Sequence, residues 1–222
     1  VLLSRTVSGA ASGGNQPSVS DDGRYVVFTT SSSELLPPGE DTDRRIDTYL
    51  LDRDKDADGI FDEFAEVGAT SYARISVASD GTVGDRGGNQ GIISSSGRYV
   101  VFLSASLNLV PGVTVSVFNV YLRDRDTDED GVFDEPGAVS TQLISREAAG
   151  TPTDIRNRLT GGGRAISDDG RYIAFIGGDD AGEDVDGRRL PRPVGTQETE
   201  KLSTPDLQVE PLHRRLAVVA LA

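Results

Sequence analysis

A nine-residue segment occurs three times along the chain: SDDGRYVVF at Ser20 to Phe28, SSSGRYVVF at Ser94 to Phe102 and SDDGRYIAF at Ser167 to Phe175. Its glycines, Gly23, Gly97 and Gly170, follow one another at intervals of 74 and 73 residues. A fixed period of this length means that one supersecondary unit is stacked on copies of itself, as in solenoids and propellers. Each copy joins a turn dipeptide to a run of β-formers, which predicts a tight turn opening into a buried strand. Four strands can be placed in the first repeat: Pro17 to Ser20, Tyr25 to Thr30, Asp47 to Asp52 and Ala73 to Ala78. The second repeat has the same four at Gly91 to Ser94, Tyr99 to Ser104, Asn119 to Asp124 and Thr141 to Arg146. Four antiparallel strands per repeat is the content of one propeller blade, so the expected fold class is all-β.

Between the third and fourth strands each repeat carries an acidic loop, DKDADGIFDE at Asp54 to Glu63 and DTDEDGVFDE at Asp126 to Glu135. Their charges of -4 and -6 make up most of the chain's -14. Like charges packed this tightly repel unless a cation or solvation relieves them. Loop positions 1, 3 and 5 are Asp54, Asp56 and Asp58 in the first copy and Asp126, Asp128 and Asp130 in the second. Gly59 and Gly131 at position 6 permit a sharp turn, Ile60 and Val132 offer a carbonyl at position 7, and Asp62 and Asp134 stand at position 9. Hard oxygens in this order are what Ca²⁺, with six to eight ligands, requires, so two calcium sites are expected. Ala65 and Gly137 stand where an EF-hand has its bidentate glutamate, and the flanks read as strands. Glu63 and Glu135 are left as an outer-shell or second carboxylate. The paired apolar residues Ile60-Phe61 and Val132-Phe133 are expected to pin each loop against its blade.

The SxDGRYVxF strand pair, followed by a loop such as SLNLVPG (Ser106 to Gly112) and a VYLRDR strand, resembles the blades of TolB-like, WD-type bacterial β-propellers over Ser4 to Phe175. The acidic loops are similar to the DxDxDGxxD loops set between strands in integrin α-subunit propellers, with some likeness to thrombospondin type 3 repeats. The integrin likeness implies that position 9 is a direct ligand. The repeats exceed the roughly 40 to 45 residues of a WD-type blade by the acidic hairpin and its flanks. Residues 1–176 are thus expected to form propeller blades, two complete and parts of two others, with Leu2 to Ser8 resembling the last strand of a preceding blade. Propellers need four or more blades to close. The remaining blades must come from a longer protein or from further chains.

Residues 177–222 break the repeat. The period predicts a strand near Arg192 and a third acidic loop near Thr199, where RPVGTQETEKL stands instead. PLHRRLAVVALA (Pro211 to Ala222) reads as a loosely ordered end or a short amphipathic helix. Val1 is not an initiator and no charged n-region with an apolar h-region follows, which is expected of a mature chain or a fragment.

Composition narrows the functions. The acidic balance lacks the basic footprint that nucleic acid requires. No apolar run approaches the length of a membrane span. The absence of cysteine removes thiolate chemistry and disulfides. The one histidine, His213, lies in the divergent tail, away from any serine-histidine-aspartate arrangement. GGN at Gly13 to Asn15 and Gly87 to Asn89, and GGGR at Gly161 to Arg164, read as blade-to-blade turns; a phosphate loop would need a following helix. Arg24, Arg98 and Arg171 are expected to pair with nearby carboxylates, and the repeat tyrosines and phenylalanines to pack between blades. The expectation is a non-enzymatic, secreted or periplasmic module stiffened by calcium for contact with a protein or surface glycan. The alternative is the propeller portion of a larger, prolyl-oligopeptidase-like hydrolase, for which a GxSxG elbow elsewhere in the gene would be the sign.

Overall fold

The computed structural model describes residues 3–6, 9–146, 157–159, 165–178 and 214–220, the last of these by backbone alone. Every regular element among them is a strand: β1 (Asn15–Val19), β2 (Tyr25–Thr30), β3 (Asp47–Asp52), β4 (Ser71–Arg74), β5 (Asn89–Ile93), β6 (Tyr99–Ser104), β7 (Asn119–Asp124), β8 (Ser140–Leu143), β9 (Asn157–Leu159), β10 (Tyr172–Gly178) and β11 (Arg214–Ala220). No helix among the described residues is long and apolar enough to cross a membrane. The strands form antiparallel sheets in the orders β1-β2-β3-β4, β5-β6-β7-β8 and β9-β10-β11. The first two are complete four-stranded propeller blades, and the chain is an all-β partial propeller.

The GRY segments set the register. In each, the serine hydroxyl (Ser20, Ser94 or Ser167) accepts from the backbone N–H of the tyrosine five residues on, and the glycine N–H returns to the serine carbonyl. Closing that turn puts Gly23 at φ 76°, Gly97 at 79° and Gly170 at 71°, in the left-handed region that suits glycine. β2 then pairs with β3 from Tyr25↔Asp52 to Thr30↔Asp47, and β6 with β7 from Tyr99↔Asp124 to Ser104↔Asn119.

These middle strands are apolar at consecutive positions because both of their faces are covered. One face of the first blade (Tyr25, Val27, Leu50, Ile75) packs on the second blade (Ile93, Val100, Phe102, Tyr121, Leu143). The other face of the second blade (Val101, Leu103, Leu122) meets Ile166, Ile173 and Phe175 of the third sheet. Leu3 and Phe64 close over Val26, Phe28 and Leu51 on the outer side of the first blade.

The edge strands depart from the sequence expectations. β1 and β5 begin earlier than expected, because bulges at Gln16 (φ 53°) and Gln90 (φ 49°) add a residue to the ladder. β4 ends at Arg74, where Ala73 to Ala78 was expected; after Ile75 N–H bonds to the Thr48 carbonyl, the chain turns away and Val77 bridges Val83. Among the described residues of the expected Leu2 to Ser8 strand, Arg5 makes an isolated bridge to Ala11, as Val77 does to Val83. In the tail, residues 214–220 form a strand and not the helix considered for that segment. β11 pairs with β10 from Tyr172↔Ala220 to Gly178↔Arg214, taking the place of a third blade strand. β10 continues through Gly177 and Gly178, past the boundary expected at 176. His213, Gly161 to Arg164 and the segment around Arg192 and Thr199 lie outside the described residues.

Candidate metal centres

Each acidic loop leaves the sheet at the end of a third strand, after Asp52 or Asp124, and returns at Ser71 or Ser140. Asp54 and Asp126 are buried at the loop start. Asp54 accepts the Asp58 N–H on Oδ1 (3.0 Å) and the Gly59 N–H on Oδ2 (3.2 Å); Asp126 does the same with Asp130 (3.2 Å) and Gly131 (3.1 Å). Asp58 and Asp130 each accept, at 2.8 Å, from the N–H two residues on. Positive φ falls at the same loop positions in both copies: Ala57, Gly59 and Asp62, then Glu129, Gly131 and Asp134. Two sequences that differ at several positions therefore fold into one loop design.

That design gathers carboxylates. One oxygen from each of Asp54, Asp56 and Asp58 lies within 4.8 Å of the others, and the same holds for Asp126, Asp128 and Asp130. Glu63 and Glu135, at position 10, are in electrostatic reach of these triplets. Partial burial, then Asp58, Glu66, Asp56 and Asp54, push the Glu63 carboxyl above the usual range; partial burial, then Asp130, Asp128 and Asp126, do so for Glu135. Glu63 Oε2 is buried without a hydrogen-bond partner. Glu63 is thus in electrostatic reach of the triplet without being one of its three converging residues, and hard carboxylate oxygens of this kind suit hard cations such as Ca²⁺ better than softer metals.

The position-9 aspartates are placed differently. Asp62 takes Arg53 in a two-pronged contact, Nε to Oδ1 at 2.8 Å and Nη2 to Oδ2 at 2.6 Å, and the guanidinium holds its carboxyl below the usual range. Arg125 directs Nε (2.9 Å) and Nη2 (2.7 Å) onto Asp134 Oδ2. The same two arginines donate through Nη1 to the carbonyls of Gly23 (2.7 Å) and Gly97 (2.6 Å), tying each loop to the GRY turn of its own blade. Arg24 and Arg98 reach across to Asp52 and Asp124, whose Oδ1 atoms also accept the Asp54 and Asp126 N–H groups. Arg171 lies over the Tyr172 ring. Of the apolar pairs, Phe133 does pack against the first blade, 5.5 Å from the Tyr25 ring, whereas the side chains of Ile60 and Val132 are exposed.

A further acidic group was not expected from the sequence. Asp41, Asp43 and Asp47 place carboxylate oxygens within 4.8 Å of one another at the head of β3. Asp41 and Asp47 are buried with Arg74, which approaches Asp41 at 3.1 Å and Asp47 at 3.8 Å. Tyr49 donates its hydroxyl to Asp41 and Ser76 donates to Asp47. Burial pushes the Asp47 carboxyl up to about 6. In the second blade the corresponding places hold Asn119, bonded in the same way by Ser145, and Leu143. The spacing of three aspartates ahead of a strand was the only signal available, and it does not reveal burial.

No protein-family model matches the chain, and no curated protein matches it. Among solved structures, a putative TolB from Agrobacterium tumefaciens aligns at 13% identity with a TM-score of 0.38, covering 78% of this chain and 41% of that one. TolB from Acinetobacter baumannii aligns at 12% identity with a TM-score of 0.26, covering 78% and 40%. The chain thus spans about two fifths of the length of either structure.

Proposed function

We propose that each acidic hairpin holds one Ca²⁺, and that the ions are structural elements of a non-enzymatic propeller module. The observation that carries this reading is the repeated triplet, three carboxylates converging within 4.8 Å in each of two loops of the same backbone design. Asp54, Asp56, Asp58, the Ile60 carbonyl and Glu63 would hold the first ion; Asp126, Asp128, Asp130, the Val132 carbonyl and Glu135 the second. Asp62 and Asp134 act beside them by holding an arginine on the blade. Bound calcium supplies the positive charge that lets the carboxylates stay together.

Loops of this kind in extracellular modules bind with Kd on the order of 10⁻⁴ to 10⁻³ M, which suits a secreted or periplasmic protein. At about tenfold excess each ion adds roughly 1.4 kcal/mol by mass action. The stiffened blades would present a surface to a protein or a surface glycan, and the rest of the propeller would come from a longer chain or from further copies.

Calorimetric titration tests the metal reading. Two calcium ions per chain are expected, falling to one in either Asp56→Asn or Asp128→Asn, whose side chains are exposed. Heat-free titrations and a melting curve indifferent to chelator would reject it.

A further inference from the structure

We propose that two copies of this chain close head to tail into one six-sheet ring, with Tyr172 of each copy seated in a socket formed by Gly23, Arg53 and Phe61 of the other. The inference goes beyond the calcium reading and does not depend on it.

The contact is already made twice within the chain. Tyr25 of the first blade lies on the second blade's turn so closely that a methyl group on Gly97 would sit 2.4 Å from its ring. Arg125 stacks on that ring at 4.5 Å and on Phe133 at 4.8 Å. Tyr99 repeats the arrangement on the third sheet, where a methyl group on Gly170 would meet its ring at 2.7 Å. The turns are also linked directly, Asp21 N–H to the Ser95 carbonyl at 3.0 Å and Ser96 Oγ to the Asp168 carbonyl at 3.3 Å.

At the two ends of the array the same parts lack, among the described residues, the neighbouring-blade partner. Among the described residues, a methyl group on Gly23 would meet only Arg53 and Phe61 of its own blade, at 3.7 and 3.8 Å. Arg53 stacks on Phe61 at 4.9 Å as Arg125 does on Phe133, yet its side chain is 21% exposed against 2% for Arg125. Val19 is 54% exposed, whereas its counterparts Ile93 and Ile166 are sealed at 5% and 3% by the sheet before them. At the far end, Tyr172 is 48% exposed, whereas its counterpart Tyr25 is 7% exposed. One end therefore presents the knob and the other the socket of a contact that the chain builds internally.

A head-to-tail contact of this kind gives a closed ring only if the rotation closes; otherwise it gives an open filament. Two copies of three sheets make six, inside the range of four to eight at which propellers close.

Sedimentation of the full chain at about 100 µM should give twice the chain mass, and both Tyr172→Ala and Val19→Asp should return it to the monomer. The two positions lie at opposite ends, so a folding defect in the third sheet would not be mirrored by Val19→Asp, a change at a site exposed in the monomer. The chain has no cysteine, so the double variant Phe61→Cys/Tyr172→Cys can form disulfides only at the placed positions; oxidation should trap a covalent dimer and nothing larger. A monomeric wild type, a dimer that survives both substitutions, or a ladder of higher oligomers would each overturn the two-copy ring.

Discussion

The two acidic hairpins share a backbone and a hydrogen-bonding plan, but they differ in what lies against them. In the second, Arg125 packs against both Tyr25 of the neighbouring blade and Phe133, whose rings also contact each other, so the loop is part of the core between two sheets. In the first, Arg53 and Phe61 keep the same mutual stacking at a surface. The loop design is therefore intrinsic to its sequence, and neighbour packing is added to it. Any property that differs between the hairpins reports on the inter-blade contact and not on the carboxylates.

Removing the two arginines should separate these contributions most widely. Arg125→Ala leaves Asp134 and the Gly97 carbonyl without their donor and opens a cavity beside Tyr25, a loss of about 3–5 kcal/mol. Arg53→Ala breaks the same bonds without opening a cavity beside a neighbouring blade, and a smaller loss of about 1.5–3 kcal/mol is expected. Urea unfolding midpoints with unchanged slopes would measure both. Equal losses would mean that the blade neighbour contributes little.

Chelation comes next in size. On the calcium proposal, two ions at about tenfold excess would contribute roughly 3 kcal/mol together, which for a chain of this size corresponds to an expected fall of about 6–12 °C in Tm. The hairpins should answer differently to hydrogen exchange. In the first, faster exchange should stay within residues 53–70, whereas in the second it should spread to the Tyr25 turn that Phe133 covers. Exchange confined to both loops alike would break the comparison.

What the sequence revealed follows the same division. The bounds of β2, β3, β6 and β7 were readable because strands covered on both faces need unbroken apolar runs. The ends of β1, β4 and β5 were not, because a bulge at Gln16 or Gln90 and the departure of the chain after Arg74 leave no mark in hydropathy. Asp54, Asp56 and Asp58 could be grouped by spacing alone, since a tight loop puts alternate residues on one side. The pairing of Asp62 with Arg53 could not, because it depends on Arg53 reaching back from the strand end. β11 was hidden because its partner, β10, is 36 residues away in sequence.

Asp47 extends the comparison from hairpins to blades, for its counterpart is Asn119. Its folded-state carboxyl sits at about 6 against 3.8 for the free side chain, so between pH 4 and 6 the folded protein binds more protons than the unfolded one. Stability from this group is thus greatest below pH 4, falls as pH rises and levels off above 6. Burial is the leading cause, and the neighbours that set the balance are Ser76, Arg74, Asp43 and Asp41. Asp47→Asn copies the second blade; it should stabilise the protein by up to about 3 kcal/mol at pH 7, a loss of two pKa units in penalty, and do little at pH 4. A wild-type minus variant difference that does not change over this window would show that Arg74 already neutralises the site.

The smallest expected difference is also the most selective. Gly23 and Gly97 have nearly the same φ, 76° and 79°, so alanine imposes the same backbone strain at both. They differ only in what the new methyl group meets: Arg53 and Phe61 at 3.7 and 3.8 Å for Gly23, the Tyr25 ring at 2.4 Å for Gly97. Tyr25 cannot retreat easily, being held by Arg125 and Phe133. Gly97→Ala should therefore cost about 1–2 kcal/mol more than Gly23→Ala when both are unfolded as dilute monomers. Raising the concentration until copies associate should shrink that gap, because Gly23 then acquires a tyrosine of its own to clash with; a gap that stays constant with concentration would leave the first blade's socket without an occupant.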